Sequence, residues 1–420
     1  MNNLDHQRVV VTGIGAISPL GLTAQASWEG LLAGRSGIRP ITHFDCTQIP
    51  VKIAGEVQDF DPGQFMSVKE ARRISRGSQF AIAALRMALA DAGMPEPLPD
   101  GERAATIIGT GAGGLEVVDR ELINLRSKGY NQISPFALTG FLPNMPAYHV
   151  SLIAGAKGPI STIVTACASG TQAIGEGLET IRHGRADLVL AGGVEGLIHE
   201  TSIASFARAG AASTRNDDPS QACRPFDAQR DGTVISEGAG MLVLERLDHA
   251  LQRKARIYAE LSGYASSSDA FHIARPDPEA GGAVRSMSWA LQDAGLQPEE
   301  IDYINAHGTA TQLNDSSETL AIKKVFGEYA YQLPISSNKS VLGHALGAAG
   351  AIEAIFSIFS MRESVIPPTW TYEYPDPECD LDYVPDKPRH AELNTVLSNS
   401  FGMGGQNACL VLSKFDPMVK

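Results

Sequence analysis

Positive charge is scarce in this chain: 34 Lys and Arg stand against 47 Asp and Glu, a formal net charge of −13. A protein that grips phosphate backbone over a broad face needs the opposite balance, so nucleic acid is not expected as a partner. Long apolar runs are missing too. The N-terminal MNNLDHQRVVVTG has no basic stretch leading into an apolar one, and the longest apolar run toward the C-terminus is interrupted by Glu353. Neither a signal peptide nor a membrane span is expected. Cysteine is sparse: Cys46, Cys167, Cys223, Cys379 and Cys409 are scattered, odd in number and without a CxxC spacing. That excludes a disulfide framework or a zinc site as the organising principle and fits a reducing, cytoplasmic setting. No G-x-S-x-G elbow occurs, which leaves serine hydrolysis poorly supported.

What is present is an ordinary globular composition, 43% apolar and 19% charged, with 42 glycines in 420 residues. The glycines punctuate short apolar runs, the pattern of strands handing over to turns and helices in an α/β protein. Runs at 8–12 (RVVVT), 105–108 (ATII), 162–164, 188–191 (LVLA), 241–244 (MLVL) and 408–412 (ACLVL) read as buried strands. The hexapeptides ALADAG (88–93) and ALQDAG (290–295) each close a helix with a C-terminal glycine and precede a short strand. A duplicated α/β chain follows, with its seam where RLDHALQRKAR leads into IYAELSGYAS. The expected halves are 1–255 and 256–420, sharing one core because no low-complexity linker divides them.

Cys167 ends a β-branched strand (ISTIVTAC) and precedes a helix in ASGTQAIGEGLETIRHG. A helix N-terminus offers unpaired N–H groups and a positive dipole end, which favour the thiolate a cysteine nucleophile needs. A lone cysteine in a strand is otherwise a small buried side chain. Two histidines sit in comparable places: His307 in INAHGTAT, just after a strand, and His344 in SSNKSVLGHALGAAG, entering a small-residue helix. Either alone could merely cap a helix or fill a gap; together with the cysteine they form a constellation. Lys339, five residues before His344, and Glu318, eleven after His307, meet if the two histidine loops do. GTGAGG at 109–114 formally matches G-x-G-x-x-G but lacks the later acidic residue, and reads as close backbone approach instead of a nucleotide site. Lys69, Arg72, Arg73 and Arg76 form a basic cluster read as one helix, either a solvated face or a docking site for an acidic partner.

TAC-x-SG, NAHGTAT and SNKSVLGHALGAAG, in that order, resemble the β-ketoacyl-acyl-carrier-protein synthases of the elongating Cys-His-His type. The resemblance runs from VVVTGIGAISPLG through STRNDDP, RPFDAQRDG and SEGAG to NSFGMGGQNACLVL, nearly the whole chain. It implies the thiolase fold, a five-layered αβαβα core from two pseudo-equivalent halves. It implies Cys167 as nucleophile, His307 and His344 as catalytic pair, a supporting ion pair of Lys339 with Glu318, and Asp315 beside them. Cys167 and Met403 would supply oxyanion N–H donors, Phe401 and Met403 the gate, and Thr309 and Thr311 the hydroxyls that bind phosphopantetheine. That arm would arrive on the acyl carrier protein, so no bound cofactor or metal is implied. Lys69, Arg72 and Arg73 would dock the acidic carrier protein, and the molecule would be a homodimer, or a heterodimer with a chain-length-factor subunit.

The implied reaction is decarboxylative condensation of an acyl group on Cys167 with malonyl-carrier protein in fatty-acid elongation; the alternative is a ketosynthase of a type II polyketide or polyene pathway. A non-catalytic chain-length factor would lack the nucleophile, and a degradative thiolase would need a second acid/base cysteine, whereas Cys409 lies inside the strand ACLVL. Three departures bear on substrate: GMGGQN for GFGGTN, placing Met403 at the gating aromatic and Gln406 at the threonine; Ala112 in place of a common isoleucine lining the acyl pocket; and Ala274 in place of a threonine near the pantetheine channel. A smaller residue at 112 should lengthen or widen the pocket.

Overall fold

The computed structural model describes residues 7–417, so the outermost residues of both expected halves lie outside it. Ten strands form one sheet: β1 Val9–Ile17, β2 Ala104–Gly109, β3 Ile160–Ile163, β4 Leu188–Glu195, β5 Gly238–Arg246, β6 Ala259–Ser268, β7 Tyr303–Asn305, β8 Ile335–Ser336, β9 Thr395–Gly402 and β10 Gln406–Ser413. Their order across the sheet is β8-β7-β9-β10-β6-β1-β5-β4-β2-β3. Each half repeats one pattern, 1-5-4-2-3 and 6-10-9-7-8, and the halves join where Val10 and Val11 of β1 run antiparallel to Glu260 and Ala259 of β6. All the strands expected from apolar runs are present.

Helices supply the other layers. α1 Arg76–Asp91 packs outside the first half-sheet and α3 Gly281–Ala294 outside the second, with α4 Gln312–Phe326 beside α3. Between the half-sheets lie α2 Ser169–Arg182 and α5 Ala349–Glu363, which touch strands of both. α5 is buried from Ala349 to Met361, as a middle-layer helix must be, because it has no face to spare for water. The five-layered thiolase-like arrangement implied by the motifs is what the chain forms. One apolar cluster fills the middle layer and two more fill the spaces under α1 and α3.

The hexapeptide repeat has a physical purpose. A Cβ on Gly13 of β1 would fall 2.4 Å from the Ala88 carbonyl oxygen, and one on Gly263 of β6 would fall 2.5 Å from that of Ala290. Each strand presses its glycine onto the alanine face of its helix. Both strands bulge there: pairing skips Thr12 between Val11 and Gly13, and skips Ser262 between Leu261 and Gly263. The bulge turns an N–H out of the ladder, and the DAG aspartate receives it, Ile14 N–H to Asp91 and Tyr264 N–H to Asp293, both at 3.0 Å.

Candidate active site

The site lies where α2 and α5 begin. β3 leads through a turn in which Ala166 adopts φ 51°, and the Ser169 hydroxyl braces that turn by accepting the Thr165 N–H and donating to the Ala166 carbonyl. Cys167 sits at its apex. The second half repeats the device before α5, where Leu346 adopts φ 48° and Gly347 takes the place of the cysteine. Glycines allow the two helix starts to touch: a Cβ on Gly170 would lie 2.8 Å from the Gly347 carbonyl oxygen, and one on Gly350 would lie 2.8 Å from the Thr171 nitrogen.

His307 follows β7, and Glu318 of α4 fixes its loop by accepting the N–H groups of His307 and Gly308, both at 2.8 Å. His344 is pinned by its own backbone, donating to Val234 and accepting from Ser236. The two rings meet edge to face with centroids 5.3 Å apart, and Phe401 lies edge to face on His307 at 5.9 Å. A ligating atom from each of Cys167, His307 and His344 lies within 4.8 Å of the others. These three, with Thr309, Thr311, Phe401 and Met403, line one cavity of about 430 Å³, the size of a small-molecule site.

Buried ion pairs set the electrostatics. Lys339 is fully buried and bonds to the equally buried Glu353. This corrects the expected pairing with Glu318: that carboxylate is committed to the His307 loop and to Asn399 at 3.3 Å. Burial pushes Glu318 up to about 7, against the pull of the two backbone donors. Asp315 holds the next stretch, accepting from Phe226 and Thr309 at 2.7 and 3.1 Å. Burial and the nearby Lys339 charge hold both histidines well below their ordinary value, so both rings are neutral. Neither nitrogen of His344, nor Nδ1 of His307, has a hydrogen-bond partner among the described residues. A trio of such donors could also fit a metal, but the buried Lys339 ammonium is a repulsive neighbour for a dication.

Cys167 shows a competition that the sequence does not display. Burial pushes its thiol up to about 11, while the Met403 N–H and the Lys339 charge pull the other way. The resting group is therefore a thiol, and its proton needs an acceptor, which a neutral imidazole within 4.8 Å can be. Met403 rides on a tight glycine turn and is 46% exposed.

Other residues fall where expected or are displaced. Ala112 packs in an apolar cluster with Cys167, Phe206 and Leu346; Ala274 lines the cavity mouth. Cys409 is buried between Ser286 and Asn399, away from acid/base duty. The basic cluster is not one helix. Ser67 caps Val68–Ala71 and Ser75 starts α1 afresh, which splits the charges. Lys69 and Arg72 are exposed, Arg73 lies 4.2 Å over Phe136, and Arg76 is tied to Glu237 at 2.7 Å. Glu195 and Glu353 were missed; the signal was a carboxylate inside an otherwise apolar run. Glu195 accepts N–H groups of Gly111 and Gly347 at 2.7 and 3.0 Å, joining the glycine loop of one half to the turn of the other.

This fold and this cysteine with two histidines define a condensing enzyme, and the comparisons agree. Residues 6–250 match the family model "Beta-ketoacyl synthase, N-terminal domain" and residues 258–373 match "Beta-ketoacyl synthase, C-terminal domain". The chain is 47% identical over 415 residues to a 3-oxoacyl-[acyl-carrier-protein] synthase 2 of Synechocystis sp., covering 99% of this chain and all of the relative. It is 46% identical over 411 residues to the same enzyme of Coxiella burnetii, covering 98% and 99%. Among solved structures, the ishigamide ketosynthase/chain length factor superposes with TM-score 0.92 at 38% identity, covering 98% of this chain and all of that one. A type II polyketide acyl-carrier protein in complex with its ketosynthase bound to the hexaketide matches with TM-score 0.89 at 36% identity, with the same coverage. The chain belongs to the beta-ketoacyl synthase family. Within it, the chain is an acyltransferase of the synthase 2 type, which carries out the condensation step of fatty-acid elongation.

Proposed function

We propose that Cys167, His307 and His344 perform this condensation, a reading carried by the convergence of their reactive atoms beside the buried Lys339. In the first half-reaction the Cys167 sulfur attacks an acyl thioester of the carrier protein and passes its proton to a neutral imidazole. The bond from acyl carbon to Cys167 forms and the carrier thiol leaves, taking up the proton. The N–H groups of Cys167 and Met403 stabilise the oxyanion formed on the way. In the second, malonyl-carrier protein enters and both imidazoles donate to its thioester oxygen. The carbon–carboxylate bond breaks, carbon dioxide leaves, and the electron pair becomes an enolate held by those two donors. That carbon attacks the acyl carbonyl, a carbon–carbon bond forms, the bond from acyl carbon to sulfur breaks, and Cys167 departs as thiolate and takes a proton from water. Neutral rings suit this role because they donate without titrating.

Thr309 and Thr311, whose hydroxyls are 3.0 Å apart at the cavity wall, would bind the pantetheine arm, with Phe401 and Met403 as the gate and Asp315 and Glu318 as positioning residues. The halves 1–255 and 256–420 divide the labour, the first giving the nucleophile and the second the histidine pair. Lys69 and Arg72 would meet the acidic carrier protein. β3 is an edge strand whose first residue, Ile160, and the Val164 that follows it are about half exposed, at 50% and 48%; a second copy pairing there would close it, giving the homodimer. The five cysteines are free, and among the described residues no helix is long and apolar enough to cross a membrane; both fit the cytoplasm.

Intact mass spectrometry with saturated acyl-carrier proteins, then malonyl-carrier protein, tests the reading. Acylation at Cys167 and a product two carbons longer are expected; wild-type condensation by Cys167→Ala would overturn it.

A further inference from the structure

The chemistry above leaves one buried acid beside the site unused. Glu195 ends β4 and is 0% exposed, and no cation forms an ion pair with it among the described residues. Its charge is met by dipoles instead: the N–H groups of Gly111 and Gly347 donate to it at 2.7 and 3.0 Å, and the Thr110 hydroxyl at 3.3 Å. Burial pushes the carboxyl up to about 7 against these donors, so it is charged in mildly alkaline solution. A buried carboxylate without a cation is costly, and it persists only where donors are fixed to receive it.

Those donors come from two different turns. Gly347 leads into α5 three residues after His344, and Thr110 and Gly111 belong to the glycine loop after β2. Both backbone N–H groups end on the same oxygen, Oε2. The two backbones are in contact, since a Cβ on Gly347 would collide with the Gly111 nitrogen and one on Gly111 would stand 2.6 Å from that oxygen. Two N–H dipoles aimed at one point repel unless an acceptor lies between them. The tie extends toward the nucleophile, because the Thr110 carbonyl lies 3.2 Å from the Ser169 hydroxyl that braces the Cys167 turn. The second half holds its equivalent loop, after β7, in a similar way, with Glu318 accepting the N–H groups of His307 and Gly308. Glu318 thus fixes one histidine loop, and Glu195 stands at the turn that carries the other.

We propose that Glu195 is a positioning residue for the condensation: by holding the Gly347 N–H against the glycine loop, it fixes the turn that carries His344 at its working distance from Cys167. The inference rests on the Cys167, His307 and His344 reading above. Glu195 acts through the backbone and transfers no proton. Without the carboxylate, two facing N–H groups are buried with no acceptor, which drives the glycine loop and the start of α5 apart. Both imidazoles must donate to one thioester oxygen, so a displacement of His344 by about 1 Å weakens the hold on the enolate. Glutamine in this place keeps an amide oxygen for the two N–H groups and turns its NH2 to the Thr110 hydroxyl oxygen, which retains the tie without the charge.

The experiment compares Glu195→Ala and Glu195→Gln with the wild type in condensation with malonyl-carrier protein and in alkylation of Cys167 by a small neutral reagent. In the alanine variant kcat should fall about 10²-fold while the KM for malonyl-carrier protein stays within about threefold of the wild type. The glutamine variant should recover kcat to within about fivefold of the wild type. Alkylation at about pH 8.5 should be no slower in either variant. Lys339 favours the Cys167 thiolate, Glu195 opposes it, and the two histidines beside it are neutral, so losing the Glu195 charge does not hinder the thiol. If the alanine variant fails to fold, Glu195→Asp decides, because it keeps the charge and draws the carboxylate back by one methylene; there kcat should fall about tenfold. A kcat within about threefold of the wild type in the alanine or aspartate variant, or a glutamine variant as impaired as alanine, would overturn the proposal. So would a loss of alkylation matching the loss of kcat, since the substitution would then have disturbed Cys167 and not His344. Absence of condensation by the wild-type chain would instead overturn the condensation reading, and this one with it.

Discussion

At the scale of single residues, the site is organised by what burial does to charge. His307 and His344 are neutral in the folded chain and ordinary in the unfolded one, so below their usual value near 6.5 the unfolded state binds more protons than the folded state. Stability then falls as pH drops through that window and is flat above it. Urea denaturation from about pH 7.5 to about pH 5.5 should show this acid slope in the wild type and a weaker slope in the double variant His307→Ala, His344→Ala. Lys339 supplies part of the suppression. Removing it alone leaves Glu353 buried and unpaired, at a cost of about 3–5 kcal/mol. Replacing both partners by Lys339→Met and Glu353→Leu should restore most of that stability yet raise both histidines toward their ordinary value. The pH–rate profile of condensation checks this: its acid limb should move to higher pH in the double variant.

At the scale of elements, legibility tracked locality. The strands could be read because each is a short apolar run closed by glycine, and the hexapeptide repeat because helix, cap and aspartate lie within six residues. The nucleophile was legible from its strand-to-helix position. The Lys339–Glu353 pair was not, because burial of Glu353 depends on α5 being enclosed from both sides, which no local pattern announces; the family resemblance pointed to Glu318 instead. Nor was the division of the basic run, which depends on two serine caps eight residues apart instead of on charge spacing. The repeat itself makes a test of the pseudo-symmetry. Gly263→Ala drives a methyl into the Ala290 backbone just as Gly13→Ala drives one into Ala88. Because the blocking atoms are backbone, neither site can relax by rotating a side chain, and each substitution should cost about 1–3 kcal/mol or more. Thermal unfolding should show similar losses for the two, and a glycine that tolerated alanine freely would mark that half as loosely packed.

At the scale of the whole molecule, the question is how an acidic protein receives an acidic partner. A net charge of −13 repels a carrier protein of the same sign at long range, and at physiological salt that field decays over about 8 Å. Recognition must then come from a local reversal of sign. Of the four basic side chains at 69–76, Arg76 is spent on Glu237 and Arg73 is laid over Phe136, which leaves Lys69 and Arg72 as the outward charges. Reversing both by Lys69→Glu and Arg72→Glu adds four units of repulsion where the partner would land. It touches neither the cavity nor the buried pairs. The expected result is a fall of about 10–100-fold in kcat/KM for carrier-protein substrates, steepest at low salt. Alkylation of Cys167 by a small neutral reagent should proceed at the wild-type rate, because the reagent needs the thiol and not the docking face. Unchanged carrier-protein kinetics in this variant would move the docking surface elsewhere on the molecule, and a parallel loss of alkylation would show that the substitutions had disturbed the site itself.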